Sequence, residues 1–124
     1  MNFNTFETKV KAAFPVGTVL QNPGGGTSTI KSYSYGKISY ERGSSSINVS
    51  LQDLFDTYDH FAGQQVSSND LKLYKPSIYD SKASPAGHDC NCTLLFMILC
   101  RLPLVIEVQG QGKRESPFSV YIPK

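Results

Sequence analysis

The stretch from His88 to Leu102, HDCNCTLLFMILCRL, constrains the fold more than any other part of the sequence. Every residue of Leu94–Cys100 is apolar, so a helix here has no polar face and has to be surrounded by protein. The run is far shorter than the ~20 residues that a membrane span needs, and Arg101 closes it. Its straight-chain side chains favour a helix over a strand, and Pro103 stops it. We therefore predict a buried helix over residues 91–102.

Three further segments have the period of amphipathic helices. In the first, one apolar stripe is formed by Phe3, Phe6, Val10 and Phe14. Asn4 is its expected N-cap and Pro15 ends it. The other two helices are predicted at residues 51–62 and 68–74. Each begins at a serine followed three residues later by an aspartate, which is a capping pattern.

The remaining segments have the features of strands. From Ser28 to Ser50 apolar and polar residues alternate, which predicts a three-stranded antiparallel meander, and Val16–Gln21 predicts a short strand before it. Gly24–Gly26 lacks the lysine and following helix of a phosphate loop, so we predict a bent loop there. At the C-terminus, two apolar stretches around a glycine-containing turn predict a β-hairpin over residues 104–122.

Together these elements predict an α+β fold in a single compact domain, residues 1–124. A chain of 124 residues buries about two-thirds of its unfolded surface, enough for a substantial core. The net charge of +2 is mild, and no block of like charge marks a tail. The N-terminus has no apolar segment behind basic residues, and three cysteines make an odd number. We therefore expect reduced thiols, a cytoplasmic location and no membrane partner.

The cysteines beside the buried helix form one candidate catalytic group. A helix N-terminus favours the thiolate, so Cys90 or Cys92 would act as nucleophile with His88 or His60 as base. The placement resembles the papain-related cysteine hydrolases, in which a cysteine opens a helix packed on a sheet. That resemblance implies a hydrolase or transferase activity. In that family the histidine follows the helix, whereas both histidines here precede it; buried, inert cysteines are the alternative.

No metal site or cofactor is expected from this sequence. The pattern His88-x-Cys90-x-Cys92 has one-residue gaps, whereas structural zinc sites use C-x₂₋₄-C spacing and a second ligand pair. Asp89 and Asn91 have a simpler role as N-caps of the buried helix.

Aromatic and cationic residues share the predicted meander and the tip of the predicted hairpin. Tyrosine rings stack on bases of any sequence, and lysine and arginine bind phosphates, so nucleic acid is the expected partner. The alternative is tyrosines that pack across strands with their hydroxyls in water. The candidate contacts are Lys31, Tyr33, Tyr35, Lys37, Tyr40, Arg42, Lys113 and Arg114.

The order of elements over residues 51–122 resembles a winged helix. The helix pair at 51–62 and 68–74 corresponds to a helix-turn-helix, and the hairpin tip at 110–114 to the wing. The third helix of that class offers polar residues to a DNA groove, and residues 93–102 have none to offer. The resemblance therefore implies that DNA contacts would fall on Lys72, Lys75 and Lys82 as well. A hairpin that completes the sheet beside the meander is the alternative.

The chain also resembles the small proteins carried on bacterial mobile gene cassettes. The motifs that carry this resemblance are YERGS at 40–44, GHDCNCT at 87–93 and SPF at 116–118. It implies a bacterial protein and no particular activity. Our expectation is a non-enzymatic binding module, with nucleic acid as its partner. The cysteine-dependent enzyme and a self-associating or protein-binding domain that uses the tyrosine-bearing face are the alternatives.

Overall fold

The computed structural model describes residues 1–124 and has an α+β fold. Its helices are α1 (Phe3–Ala13), α2 (Leu51–His60), α3 (Ser68–Tyr74), α4 (Pro76–Tyr79) and α5 (Cys90–Arg101). Its strands are β1 (Val19–Gln21), β2 (Thr27–Ser34), β3 (Lys37–Arg42), β4 (Ser45–Ser50), β5 (Gln64–Ser67) and β6 (Ser119–Ile122). No helix has the length and apolarity needed to cross a membrane.

Helix α5 lies in the middle of the core, and the predicted buried helix is confirmed. The side chains of its apolar run from Leu94 to Phe96 are fully buried, as are those of Ile98 and Leu99. The same cluster contains the stripe of α1, the apolar face of the meander and both strands of the smaller sheet. Because all of these elements cover α5, none of its apolar residues is left as an exposed face.

Strands β1 to β4 form one antiparallel sheet in the order β1-β2-β3-β4. The predicted meander is confirmed, with β1 added at its edge. Tyr35 and Gly36 connect β2 to β3 with positive φ angles of 51° and 76°, as two-residue hairpin turns require. Alternation along β3 directs Ile38 and Tyr40 into the core. The sheet therefore presents one buried face, which rests on the helices.

The C-terminal hairpin differs from the prediction. Residues 104–108 form no strand, and β6 pairs instead with β5, which lies between the two helices predicted at 51–62 and 68–74. The reason lies at the end of α5, where the amides of Leu104 and Val105 both donate to the Leu99 carbonyl oxygen. What remains of the hairpin is two isolated antiparallel bridges, Gln109–Ser119 and Lys113–Ser116. The alternative, in which the hairpin joins the meander, is also wrong, because β5 and β6 form a separate two-stranded sheet.

Helix α2 and helix α3 have the predicted caps, whereas α1 is capped by a different residue and α5 has no side-chain cap from Asp89 or Asn91. Ser67 and Asp70 form a complete capping box at α3, and Ser50 accepts from the Asp53 amide at α2. At α1 the cap is Asn2, not Asn4, since Asn2 Oδ1 accepts from the Thr5 amide at 2.9 Å. The helix therefore begins at Phe3, two residues earlier than an N-cap at Asn4 would place its start.

Candidate functional site

A cleft of about 380 Å³ opens beside the first turns of α3 and α5. The end of β3 and the loop of residues 109–118 complete its walls. Four cationic side chains line it: Arg42, Lys72, Lys113 and Arg114. Asp89 is its one acidic residue, so the lining carries a formal charge of +3 from four cations and one carboxylate. We call this feature the basic cleft.

A buried hydrogen-bond chain holds β3 against the first turn of α5. The Tyr40 hydroxyl donates to Asn91 Oδ1 at 2.7 Å, and Asn91 Nδ2 donates to the Ile78 carbonyl oxygen at 2.9 Å. Asn91 was predicted as a helix cap, but its side chain is used in these two bonds instead, and α5 has no side-chain cap. Two residues beyond Tyr40, Arg42 Nη1 donates to Thr93 Oγ1 at 3.1 Å. This arrangement positions a guanidinium at the wall of the cleft.

Asp89 partly balances the cationic lining. Its carboxylate lies 3.6 Å from Lys72 Nζ and accepts from the Ser81 amide at 3.0 Å. Partial burial alone would raise the pKa of Asp89, but the Ser81 amide and the Lys72 ammonium together lower it below its ordinary value. Asp89 is therefore ionised at neutral pH, and Lys72 is the one lining cation with an acidic partner in the cleft.

Backbone hydrogen bonds hold the loop that bears Lys113 and Arg114. The Gln111 and Lys113 amides donate to the Ser116 carbonyl oxygen, and the Ser116 amide donates back to Lys113. At the C-terminal end of this loop, the Phe118 ring lies close to Gly24 and Gly112. A Cβ atom on Gly112 would come within 2.5 Å of that ring, and the φ angle there is +74°. The glycine permits a close contact that fixes the loop beside the cleft.

The structure brings together only part of the predicted nucleic-acid surface. Arg42, Lys113 and Arg114 meet in the basic cleft, and Lys72, which the winged-helix resemblance indicated, joins them. Lys31 lies elsewhere on the sheet, 3.9 Å from Glu41, and exposed Lys37 begins β3. Neither of these two lysines lines the cleft.

The predicted tyrosine stacking surface does not form. Tyr40 is 1% exposed, because period-two alternation places it beside Ile38 on the core face. The Tyr33 hydroxyl donates to the Phe14 carbonyl oxygen at 2.6 Å, and burial raises the pKa of Tyr33 to about 12. Tyr35 is fully exposed, but it lies at the β2–β3 turn and does not line the cleft. No tyrosine ring therefore lines the cleft, and Phe118 is its one aromatic residue.

No hydrogen bond joins a cysteine to a histidine, and the Cys92 thiol contacts the backbone oxygens of Ser68 and Tyr79 instead. Cys92 is 1% exposed, and burial raises its pKa to about 12, so the expected stabilisation of the thiolate is wrong for this residue. Cys90 is half-buried in the cleft wall. His60 stacks on Tyr74 with ring centroids 4.2 Å apart, and His88 is exposed; neither lines the cleft. No three metal-binding side chains converge anywhere in the chain.

Comparison with protein-family models, curated proteins and solved structures found no match to this chain. The resemblance to a winged helix therefore rests on the elements themselves. The order α2, α3, α5 is retained, but α4 lies between α3 and α5, and the one strand β6, paired with β5, stands where the wing hairpin is predicted. The third helix of that order is α5, whose apolar side chains are almost all buried. The buried side chains of α5 therefore cannot contact bases in a DNA groove.

Proposed function

We propose that this chain is a non-enzymatic binding module that holds nucleic acid by its phosphates in the basic cleft. The observation that carries the proposal is the convergence of four cations around one concave volume with a single carboxylate. Contacts to phosphates supply most of the affinity in non-specific nucleic-acid binding. A cytoplasmic location and an origin on a bacterial mobile gene cassette belong to the same proposal.

The mode of binding follows from what surrounds the cations. Because α5 is buried and Phe118 is the one aromatic residue of the cleft, neither a recognition helix nor a row of stacking rings is available for bases. Phosphate contacts position a nucleic acid without reporting its sequence. We therefore expect little sequence preference. Four phosphate contacts predict a log–log salt slope of about −3 for single strands, at roughly −0.7 per contact.

The test is a fluorescence-anisotropy titration against labelled single- and double-stranded DNA and RNA at low and moderate salt. Lys113→Gln/Arg114→Gln removes two cations from the cleft. Lys31→Gln/Lys37→Gln is the matched control, because it removes the same charge from the sheet outside the cleft. The proposal expects the first variant to lose at least about tenfold in affinity and the second to lose little. Equal losses, or no binding at low salt, would reject it.

Self-association is a second candidate, and one observation favours it. Strand β4 is an edge of the larger sheet and carries no lysine, proline or bulge, the features that protect edge strands. The Leu51 amide bonds to the Gly36 carbonyl oxygen, so the alternating ladder directs the backbone groups of Ser46 and Asn48 outward. Sedimentation velocity over a range of concentrations tests this. A dimer that Ser46→Lys dissociates supports it, and a monomer at every concentration rejects it.

A further inference from the structure

We infer that the basic cleft receives the phosphorylated end of a nucleic-acid strand, a terminal phosphate monoester, in preference to the middle of a chain. This inference rests on the proposed function and specifies its ligand. It follows from three properties of the cleft: its charge, its volume and the directions from which donors reach it.

The charge of the cleft exceeds what one internal phosphate requires. An internal phosphodiester carries one negative charge, whereas a terminal monoester carries about −1.5 to −2 near neutral pH. The lining has a formal charge of +3, from four cations and Asp89. A terminal phosphate together with the adjacent diester matches this charge more closely than a single diester does.

The volume restricts what can enter. A duplex cannot enter a cleft of about 380 Å³, which lies near the lower limit of small-molecule sites, roughly 300–1,000 Å³. A strand end places one phosphate and its neighbouring sugar inside such a space and leaves the rest of the chain in solvent. The one aromatic ring in the wall, Phe118, is half-buried, and any base can stack on such a ring, so stacking does not distinguish a strand end from the middle of a chain.

Donors approach this space from separate segments of the chain. Lys72 comes from α3, Arg42 from the end of β3, and Lys113 and Arg114 from the loop. The side chains of Ser68 and Asn69 also line the cleft, and they make no hydrogen bond within the protein. A monoester presents three terminal oxygens to such donors, whereas a diester presents two. Arginine adds paired donors in a geometry that suits phosphate.

The experiment compares one single-stranded oligonucleotide with a 5′-phosphate, a 3′-phosphate or hydroxyls at both ends. We expect one phosphorylated form to bind about tenfold more tightly than the hydroxyl form, the gain for one added charge-assisted contact. The preference should disappear in Lys113→Gln/Arg114→Gln and remain in Lys31→Gln/Lys37→Gln. Alkylation gives a second readout, since a bound end should protect Cys90 in the cleft wall but not Cys100, which lies outside it.

The outcomes distinguish failure of the strand-end assignment from failure of the proposed function. Equal binding of all three strands overturns the end assignment and leaves the proposed function standing. Binding of none at low salt overturns the proposed function itself. If a nucleoside monophosphate or inorganic phosphate displaces the strand at concentrations comparable to those of the phosphorylated strand, the ligand is a free phosphate compound and the strand assignment is wrong.

Discussion

Replacing Tyr40 with phenylalanine tests the bond that fixes the wall of the cleft. The Tyr40 hydroxyl and Asn91 Oδ1 are 2.7 Å apart, and the two residues are 1% and 2% exposed. Phenylalanine keeps the ring and removes the donor. Asn91 cannot turn away without breaking its bond to the Ile78 carbonyl oxygen. Its Oδ1 atom is then left buried without a partner, which costs about 1–3 kcal/mol of the free energy of unfolding.

Urea denaturation followed by circular dichroism measures this loss as a lower midpoint at unchanged slope. The control is Tyr121→Phe, because Tyr121 is 50% exposed and makes no side-chain hydrogen bond. We expect the control to change stability by less than about 0.5 kcal/mol. A double-mutant cycle with Asn91→Ala should give a coupling energy of at least about 0.5 kcal/mol. Wild-type stability for Tyr40→Phe would refute the reasoning.

Three further predictions concern the cleft and its surroundings. Gly112→Ala should lower the melting temperature more than Gly25→Ala does, because both have positive φ but only Gly112 faces the Phe118 ring; equal shifts would count against the clash. Asp89→Asn keeps an acceptor for the Ser81 amide and should raise phosphate affinity severalfold, since one negative charge leaves the cleft. Its lowered pKa means that the stability Asp89 contributes is lost as pH falls below its ordinary value of 3.8, and the variant should show less of this loss. Between pH 9 and about 12 the free energy of unfolding should fall with a slope that approaches about 1.4 kcal/mol per pH unit from Cys92 alone, because the thiol ionises near its ordinary value of 9.0 when unfolded and near 12 when folded. That part of the slope should be absent in Cys92→Ala.

The parts of the fold that depend on local periodicity could be predicted from the sequence. The apolar run of α5, the alternation of the meander and the capping box at Ser67 are all local patterns, and each element formed where its pattern lies. The β5–β6 pairing depends on which segment is available to pair with β6, and that is decided by contacts between residues distant in sequence. Residues 104–106 are as apolar as a strand, but the Leu99 carbonyl oxygen takes the amides of Leu104 and Val105. No spacing within the sequence indicates that outcome.

The candidate site was only partly predictable, for two physical reasons. First, the sequence left open whether Cys92 is activated by the helix terminus or buried and inert, and only the folded chain shows that desolvation has the larger effect on its pKa. Second, Tyr40 was assigned to a binding surface although its alternation with Ile38 already placed it on the apolar face. By contrast, the meeting of Arg42 with Lys113 requires the tertiary fold, since 70 intervening positions separate them in the printed sequence.

The burial of α5 and the formation of the basic cleft have the same structural cause. The meander packs on the first turn of α5 through Tyr40, which removes the surface that a recognition helix would need. The same strand ends at Arg42, and its guanidinium is thereby brought to the cleft that Lys72 and the loop complete. A chain with this packing loses the means of reading bases while it gains a concave, cationic site beside the helix. Under the proposed function, the cleft should therefore recognise phosphate geometry and charge, so that salt and end chemistry change the affinity and base sequence does not.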